Sequence, residues 1–424
     1  MVMIRLIIFM LIMIMLPIIS ANSQSHQNIT LGSVLTAGDE NATWISPSGE
    51  FAFGFRQVKV NGYLLAVVFA KTSQRTIAWS ANGDHVAEIG SKVQLSEDGS
   101  QLVLTGPNGR RIWAANFSGS GVAHGAMLDT GNFVLVGKDS KFLWQSFNEP
   151  TDTLLPEQVL NQNGSLFSSL NETDHSRGQF KLIMQADNNL VLYTLNYPFE
   201  DINGPAYWAS NTVSKGISQA IFNESGYFFV VYQNGTINNV FSQAVNSSKF
   251  YKRLTLDIDG VLRLYVHPKP ASTDDFWSVH GFIPPNICEV VGGNRGGGVC
   301  GYNSVCTLVD HRPECRCPDG YSFWDTRNKM AGCKPDFTRQ GCNRNSTGGF
   351  KLVELNSTEW PDSEYEYYGS VSEDMCSESC LKDCFCDAAF FRNGECWKNS
   401  IPLRHGRFNP VRGGKTWMKL PGNK

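Results

Sequence analysis

Five stretches of the chain are variations on one plan: LSEDGSQLVL (95–104), MLDTGNFVLV (127–136), QADNNLVLY (185–193), FNESGYFFVVY (222–232) and LDIDGVLRLY (256–265). Each has a polar turn rich in Asp, Asn or Gly, followed by apolar residues at alternate positions. Alternation with a period of two marks a strand with one buried face. Recurring turns between such runs mark short antiparallel strands. A second motif interleaves with the first: IAWSAN (77–82), RIWAAN (111–116), FLWQSF (142–147) and AYWASN (206–211). Trp79, Trp113 and Trp144 lie 34 and 31 residues apart. Periods in this range belong to repeated units that bury their faces together, and each Trp is expected to fill the shared core. Asn28 to about Pro270 therefore reads as two all-β domains. The join falls near NEPTDTLLP (148–156), where two prolines interrupt the strand pattern.

Cysteine divides the chain a second way. None precedes Cys288, the first of twelve. The first six are Cys288, Cys300, Cys306, Cys315, Cys317 and Cys333, set among Gly, Pro and Asn, which predicts loops and small hairpins. The second six are Cys342, Cys376, Cys380, Cys384, Cys386 and Cys396. Cys376, Cys380 and Cys384 are spaced by four and so are expected on one face of a helix, with Ser370 and Glu373 at capping-box spacing. From the residues alone, each set of six allows 15 connectivities. An even count suits an oxidising compartment, and disulfides are the expected state rather than a metal centre.

The N-terminus agrees. Arg5 precedes an apolar run, Leu6 to Ile19, and then small and polar residues, Ser20 to Ser23. This reads as a signal peptide over residues 1–23, since the run is shorter than the ~20 residues of a membrane span. Asn-x-Ser/Thr sequons begin at Asn28, Asn41, Asn116, Asn163, Asn171, Asn223, Asn234, Asn246, Asn345 and Asn356. Their density suits a glycosylated, secreted surface. A net charge of −3 gives no basic footprint for nucleic acid.

SPSGEFAFGF (46–55), WQSFNEPTDTLLP (144–156) and RLTLDIDGVLRLY (253–265), together with the cysteine sets, resemble the extracellular part of plant G-type lectin S-receptor-like serine/threonine kinases. The resemblance covers nearly the whole chain. It implies a mainly β architecture of two tandem bulb-lectin β-prism domains (24–149 and 150–275). A small disulfide-rich EGF-like module (284–334) and an α+β PAN/apple module (342–420) follow. It implies the pairs Cys288–Cys306, Cys300–Cys315 and Cys317–Cys333 in the first module, and Cys376–Cys396 and Cys380–Cys386 in the second, leaving Cys342 with Cys384. In that family a membrane helix and a kinase follow the ectodomain. Here the sequence runs to LPGNK (420–424), so a soluble protein and a piece of a longer membrane-bound receptor are both open.

Kinase chemistry needs a catalytic-loop Asp and a metal-binding Asp in their signature settings, and neither HRD nor DFG occurs. GGGVCG (296–301) satisfies GxGxxG literally, but it lies among the first cysteines, where its glycines serve loop geometry. The eight histidines are scattered without HExxH, and IPPNIC (283–288) carries no acidic residue for calcium. No cofactor or metal is expected, and this chain is read as non-catalytic.

QADNNLVLY remains. The bulb-lectin mannose signature is Gln-x-Asp-x-Asn-x-Val-x-Tyr, and the resemblance carries it onto Gln185, Asp187, Asn189, Val191 and Tyr193. The residues themselves support a polar stripe. Alternate positions of a strand share a face; the amides, carboxylate and phenol donate and accept; Val191 offers a small apolar floor. Ala186, Leu190 and Leu192 are expected to face inward, with Asn188 in the turn. The other four repeats keep only parts of the set, so one intact pocket is expected. A hexose of about 12 heavy atoms at ~0.3 kcal/mol each gives roughly −4 kcal/mol, a millimolar Kd. The expected partner is a mannose-type glycan or glycoprotein, aided by a second copy or co-receptor through the EGF-like and PAN/apple modules. A peptide-binding or self-associating ectodomain with a vestigial pocket is the alternative.

Overall fold

The computed structural model describes residues 28–422 apart from 40–41, 119–120, 197–199, 215, 217, 293–295, 340–341 and 343–348. Residues 1–23, read above as a signal peptide, and the sequons at Asn41 and Asn345 lie outside them.

The protein is mainly β. Three antiparallel sheets surround a first core. One holds Val34–Thr36, Lys92–Leu95, Leu102–Thr105 and Arg111–Ala114; a second is built on Thr43–Ile45, Phe51–Lys59, Gly62–Phe69 and Ile77–Ser80; the third holds Val122–Met127, Phe133–Gly137 and Phe142–Gln145. Trp79, Trp113 and Trp144 meet edge to face with ring centroids 5.7–5.9 Å apart. Each therefore presents a ring edge to a neighbour's face, the arrangement favoured by the ring quadrupoles.

Three four-stranded sheets surround a second core. One contains β1 (Ser165–Ser169), β2 (Arg177–Met184), β3 (Leu190–Asn196) and β4 (Glu200–Ala209), in that order. Another places β5 (Phe250–Leu256) beside β6 (Leu262–Pro268), with Thr153–Leu154 and Ser278–Ile283 at its edges. The third holds Gln158–Leu160, Ser218–Phe222, Phe228–Tyr232 and Ile237–Phe241. The repeats share one turn. The backbone N–H of Gly99, Gly131, Asn188, Gly226 and Gly260 donates to the carbonyl three residues earlier at 2.9–3.1 Å. All five have φ between 67° and 86°. Glycine adopts that conformation without a steric penalty; the third repeat alone uses Asn.

Leu154 belongs to the second core and Leu155 to the first. Consecutive strand residues face opposite ways, so this pair pins one unit to the other. Tyr251 of β5 and Trp277 also pack on Phe69 of the first unit.

The second core runs on into the cysteine-rich region through Ile287, Cys288, Cys300, Cys306 and Cys315. Six disulfides join Cys288 to Cys306, Cys300 to Cys315, Cys317 to Cys333, Cys342 to Cys384, Cys376 to Cys396 and Cys380 to Cys386. The helix Glu373–Lys382 packs on a five-stranded sheet through Cys376 and Cys380. Two details differ from expectation. The helix is capped by Ser372, whose hydroxyl accepts from the Met375 N–H at 3.2 Å, while Ser370 is left-handed outside it. The helix also ends before Cys384: Asp383 turns extended, and its carboxylate bonds to Tyr365 at 2.7 Å and pairs with Lys398.

Candidate functional site

The turn at Gln185–Asn188 and the start of β3 bring the five stripe residues together. Gln185 Nε2 donates to the Tyr193 hydroxyl at 2.8 Å, joining the two ends of the stripe. Val191 lies between Ile183 of β2 and Ala209 of β4 and is 2% exposed, so it forms a floor. Asp187 is exposed and accepts from its own turn, the Asn189 N–H, at 3.0 Å. Leu190 and Leu192 face the core as expected. Ala186 does not: it is exposed, because the turn starts before the strand's alternation begins.

Asn189 is partly committed to the fold. Its carbonyl accepts from the Ser210 hydroxyl and the Thr212 N–H, both at 3.2 Å, and Ser210 Oγ accepts from Leu190 N–H at 3.0 Å. Asn132 does the same in the second repeat, accepting from Ser146 Oγ and Phe147 N–H at 3.2 Å, while Ser146 accepts from Phe133 N–H at 2.9 Å. Ser210 and Thr212 escaped the sequence reading. The signal that finds Ser210 is the recurrence of Trp-x-Ser, at Trp144–Ser146 and Trp208–Ser210.

Asn188, 1% exposed, supports the stripe from beneath. Its amide nitrogen donates to the Ser214 and Gly216 carbonyls at 2.8 and 2.6 Å, and its carbonyl accepts from Ser218 N–H at 3.0 Å. With these internal bonds made, the Asn189 amide N–H groups, the second Asp187 oxygen, the Gln185 carbonyl and the Tyr193 hydroxyl hydrogen are available to a ligand. Two hydroxyls presented over a C–H face would find acceptor, donor and apolar floor together.

The fifth repeat shows the same frame filled from within. Asp257, Asp259, Val261, Arg263 and Tyr265 stand where the stripe has Gln185, Asp187, Asn189, Val191 and Tyr193. Tyr265 donates to Asp257 at 2.6 Å, joining the same two positions as the Gln185–Tyr193 bond but with the tyrosine as donor. Arg263, 1% exposed, replaces the valine floor and places its guanidinium between the carboxylates, 2.6 Å from Asp257 and 2.8 Å in both bonds to Asp259. It also donates to the His311 carbonyl in the cysteine-rich region at 3.1 Å. Burial opposes the Arg263 charge, but the bonds and charges of Asp259 and Asp257 outweigh it and hold its pKa above the usual value. Burial raises the Asp257 carboxyl despite Arg263, and pushes the Tyr265 phenol up to about 12.

The sequons at Asn28, Asn116, Asn163, Asn234, Asn246 and Asn356 are exposed; Asn171 and Asn223 are half-buried.

A family model described as D-mannose binding lectin matches residues 76–170, a span that includes the tryptophan trio and β1 and ends before Gln185. The G-type lectin S-receptor-like serine/threonine-protein kinase LECRK2 of Oryza sativa subsp. indica is 38% identical over 434 residues, 97% of this chain and 53% of the relative. The Arabidopsis thaliana relative RLK1, of the same description, is 35% identical over 445 residues, 98% of this chain and 52% of its own length. The chain belongs to the plant G-type lectin S-receptor-like kinase family. It spans about half the length of the curated family members it matches. Among solved structures, Colocasia esculenta agglutinin with mannose bound is 28% identical, covering 27% of this chain and 85% of the agglutinin, with a TM-score of 0.20. Among the described residues no helix is long and apolar enough to cross a membrane.

Proposed function

We propose that this chain is the extracellular glycan-recognition region of a receptor-like kinase, non-catalytic in itself, and that it takes a mannose-type sugar at Gln185, Asp187, Asn189, Val191 and Tyr193. The observation that carries this reading is the bonded Gln185–Tyr193 frame over a valine floor, with donors and an acceptor still directed outward. The exposed sequons and the disulfides suit the cell exterior.

The test is calorimetry with methyl α-mannoside. The wild type is expected to bind in the millimolar range, and Asp187→Ala to lose that binding. Asp187 suits this because its side chain makes one bond, within its own turn. Asn189→Ala does not, since it also unties Ser210 and Thr212. A wild type that ignores mannosides, or an Asp187→Ala variant that binds as well, would overturn the reading.

A second reading is that the ectodomain binds protein or itself and keeps the frame as scaffold. The filled frame of the fifth repeat favours it, since the same turn and tyrosine persist there without an open pocket. Partner capture insensitive to excess mannose would support this reading over the first.

A further inference from the structure

A cleft of about 440 Å³ runs between the first and second units. That lies within the ~300–1,000 Å³ of ligand clefts, which favour the junctions between domains. Trp113 and Asp84 line it from the first unit, Glu149 and Asp152 from the linker, and Phe167 and Arg177 from the second unit. The walls are held rigidly. Gly83 stands so close to His175 that a Cβ would lie 2.3 Å from its carbonyl oxygen, and Asp84 accepts from Arg177 N–H at 3.1 Å. Asp152 accepts from the Thr153 and Ser169 hydroxyls, each at 2.9 Å, and Glu149 from Trp144 Nε1 at 2.9 Å. These carboxylates are therefore oriented before any ligand arrives, and each keeps an acceptor position.

The cleft wall and the stripe share one face of a sheet. Ser165 on β1 pairs with Ile183 on β2, which pairs with Val191 on β3. Phe167 likewise pairs with Lys181, which pairs with Tyr193. Directly paired residues in antiparallel strands share a face. One face of this sheet thus leads from the Val191 floor to the cleft wall, two strand spacings or about 10 Å away. Aromatic carbon stands at both ends of this path, Tyr193 on β3 and Phe167 on β1, with Ile183 and Lys181 of β2 between them, and Trp113 and the carboxylates line the cleft beyond Phe167. The exposed Arg177 guanidinium lies 4.4 Å from the Phe167 ring centroid, adding donors beside the ring, and the buried Lys181 Nζ lies 5.1 Å from it.

We propose that the ligand is an oligosaccharide rather than a single hexose. One ring sits over Val191, and the chain crosses β2 to seat a further ring against Phe167 in the cleft, where Asp84, Glu149 and Asp152 accept its hydroxyls. This rests on the sugar reading of the Gln185–Tyr193 frame and adds to it a second contact zone shared by both units. Joining two weak contacts in one ligand raises affinity without strengthening either.

The test titrates the full chain with methyl α-mannoside and with linear mannotriose. The wild type is expected to bind the trisaccharide about tenfold tighter or better. Phe167→Ala and, separately, the exposed Arg177→Ala are expected to bring the trisaccharide down towards the monosaccharide and to leave the monosaccharide unchanged. Equal wild-type affinity for the two sugars, or variants that retain the preference, would overturn the extension while the stripe reading stands. Binding of neither sugar would overturn both.

Discussion

Replacing Arg263 by methionine tests how the filled frame of the fifth repeat holds the molecule together. The substitution removes bonds at 2.6, 2.8 and 2.8 Å to Asp257 and Asp259, and the link to His311. Asp257 keeps the Tyr265 hydroxyl at 2.6 Å, and Asp259 keeps Val261 N–H at 3.1 Å, so neither carboxylate is wholly orphaned. Breaking a buried ion pair on one side costs about 3–5 kcal/mol. At ~2–4 °C per kcal/mol for a unit of this size, the melting temperature should fall by roughly 6–20 °C. The pH dependence identifies the cause. Burial already raises the Asp257 pKa above the usual 3.8 while Arg263 pulls it down. A carboxyl with a raised folded pKa favours the fold below its unfolded pKa and opposes it as pH rises through the folded value. Without Arg263 the value rises further, so the deficit should be largest near neutral pH and shrink on acidification. Thermal unfolding at two pH values, disulfides intact, measures this. A variant melting with the wild type, or a deficit that grows in acid, would refute the reasoning. Adding Asp257→Asn and Asp259→Asn should recover part of the loss.

Two further outcomes are expected. Asn188→Ala should destabilise by about 2–3 kcal/mol and more than Asn188→Gly, because both lose the bonds to Ser214, Gly216 and Ser218 but only glycine keeps the φ of 69° without strain; urea unfolding ranks the pair. Burial, with Lys269 nearby, lowers the Lys252 pKa to about 8. Its charged form therefore opposes folding below that pH, and the opposition fades as pH rises from 8 towards 10.5. Lys252→Met should melt higher than the wild type at neutral pH, with the difference narrowing in alkali.

What the sequence made legible follows from periodicity. The alternation in QADNNLVLY places Leu190 and Leu192 in the core and the polar residues on the other face, since period two is a local property of the backbone. Ala186 escaped that logic because a turn has no such period. The double duty of Asn189 was hidden for a different reason: Ser210 and Thr212 reach it across strand pairing, from some twenty residues away. The Arg263 plug was hidden likewise. Asp257 and Asp259 in the turn and Arg263 on β6 fall at alternate positions of the sequence as any polar edge would, and burial beside the cysteine-rich region turns them into an ion-pair cluster. Ser372 rather than Ser370 caps its helix because backbone conformation, and not spacing alone, selects the cap.

Leu154 and Leu155 fix the gauge of the cleft. To widen it, one of two adjacent leucines would have to leave its core, at about 2 kcal/mol for each side chain brought into water. The two β units are therefore coupled through adjacent residues, and a load applied to one is passed to the other through this leucine pair.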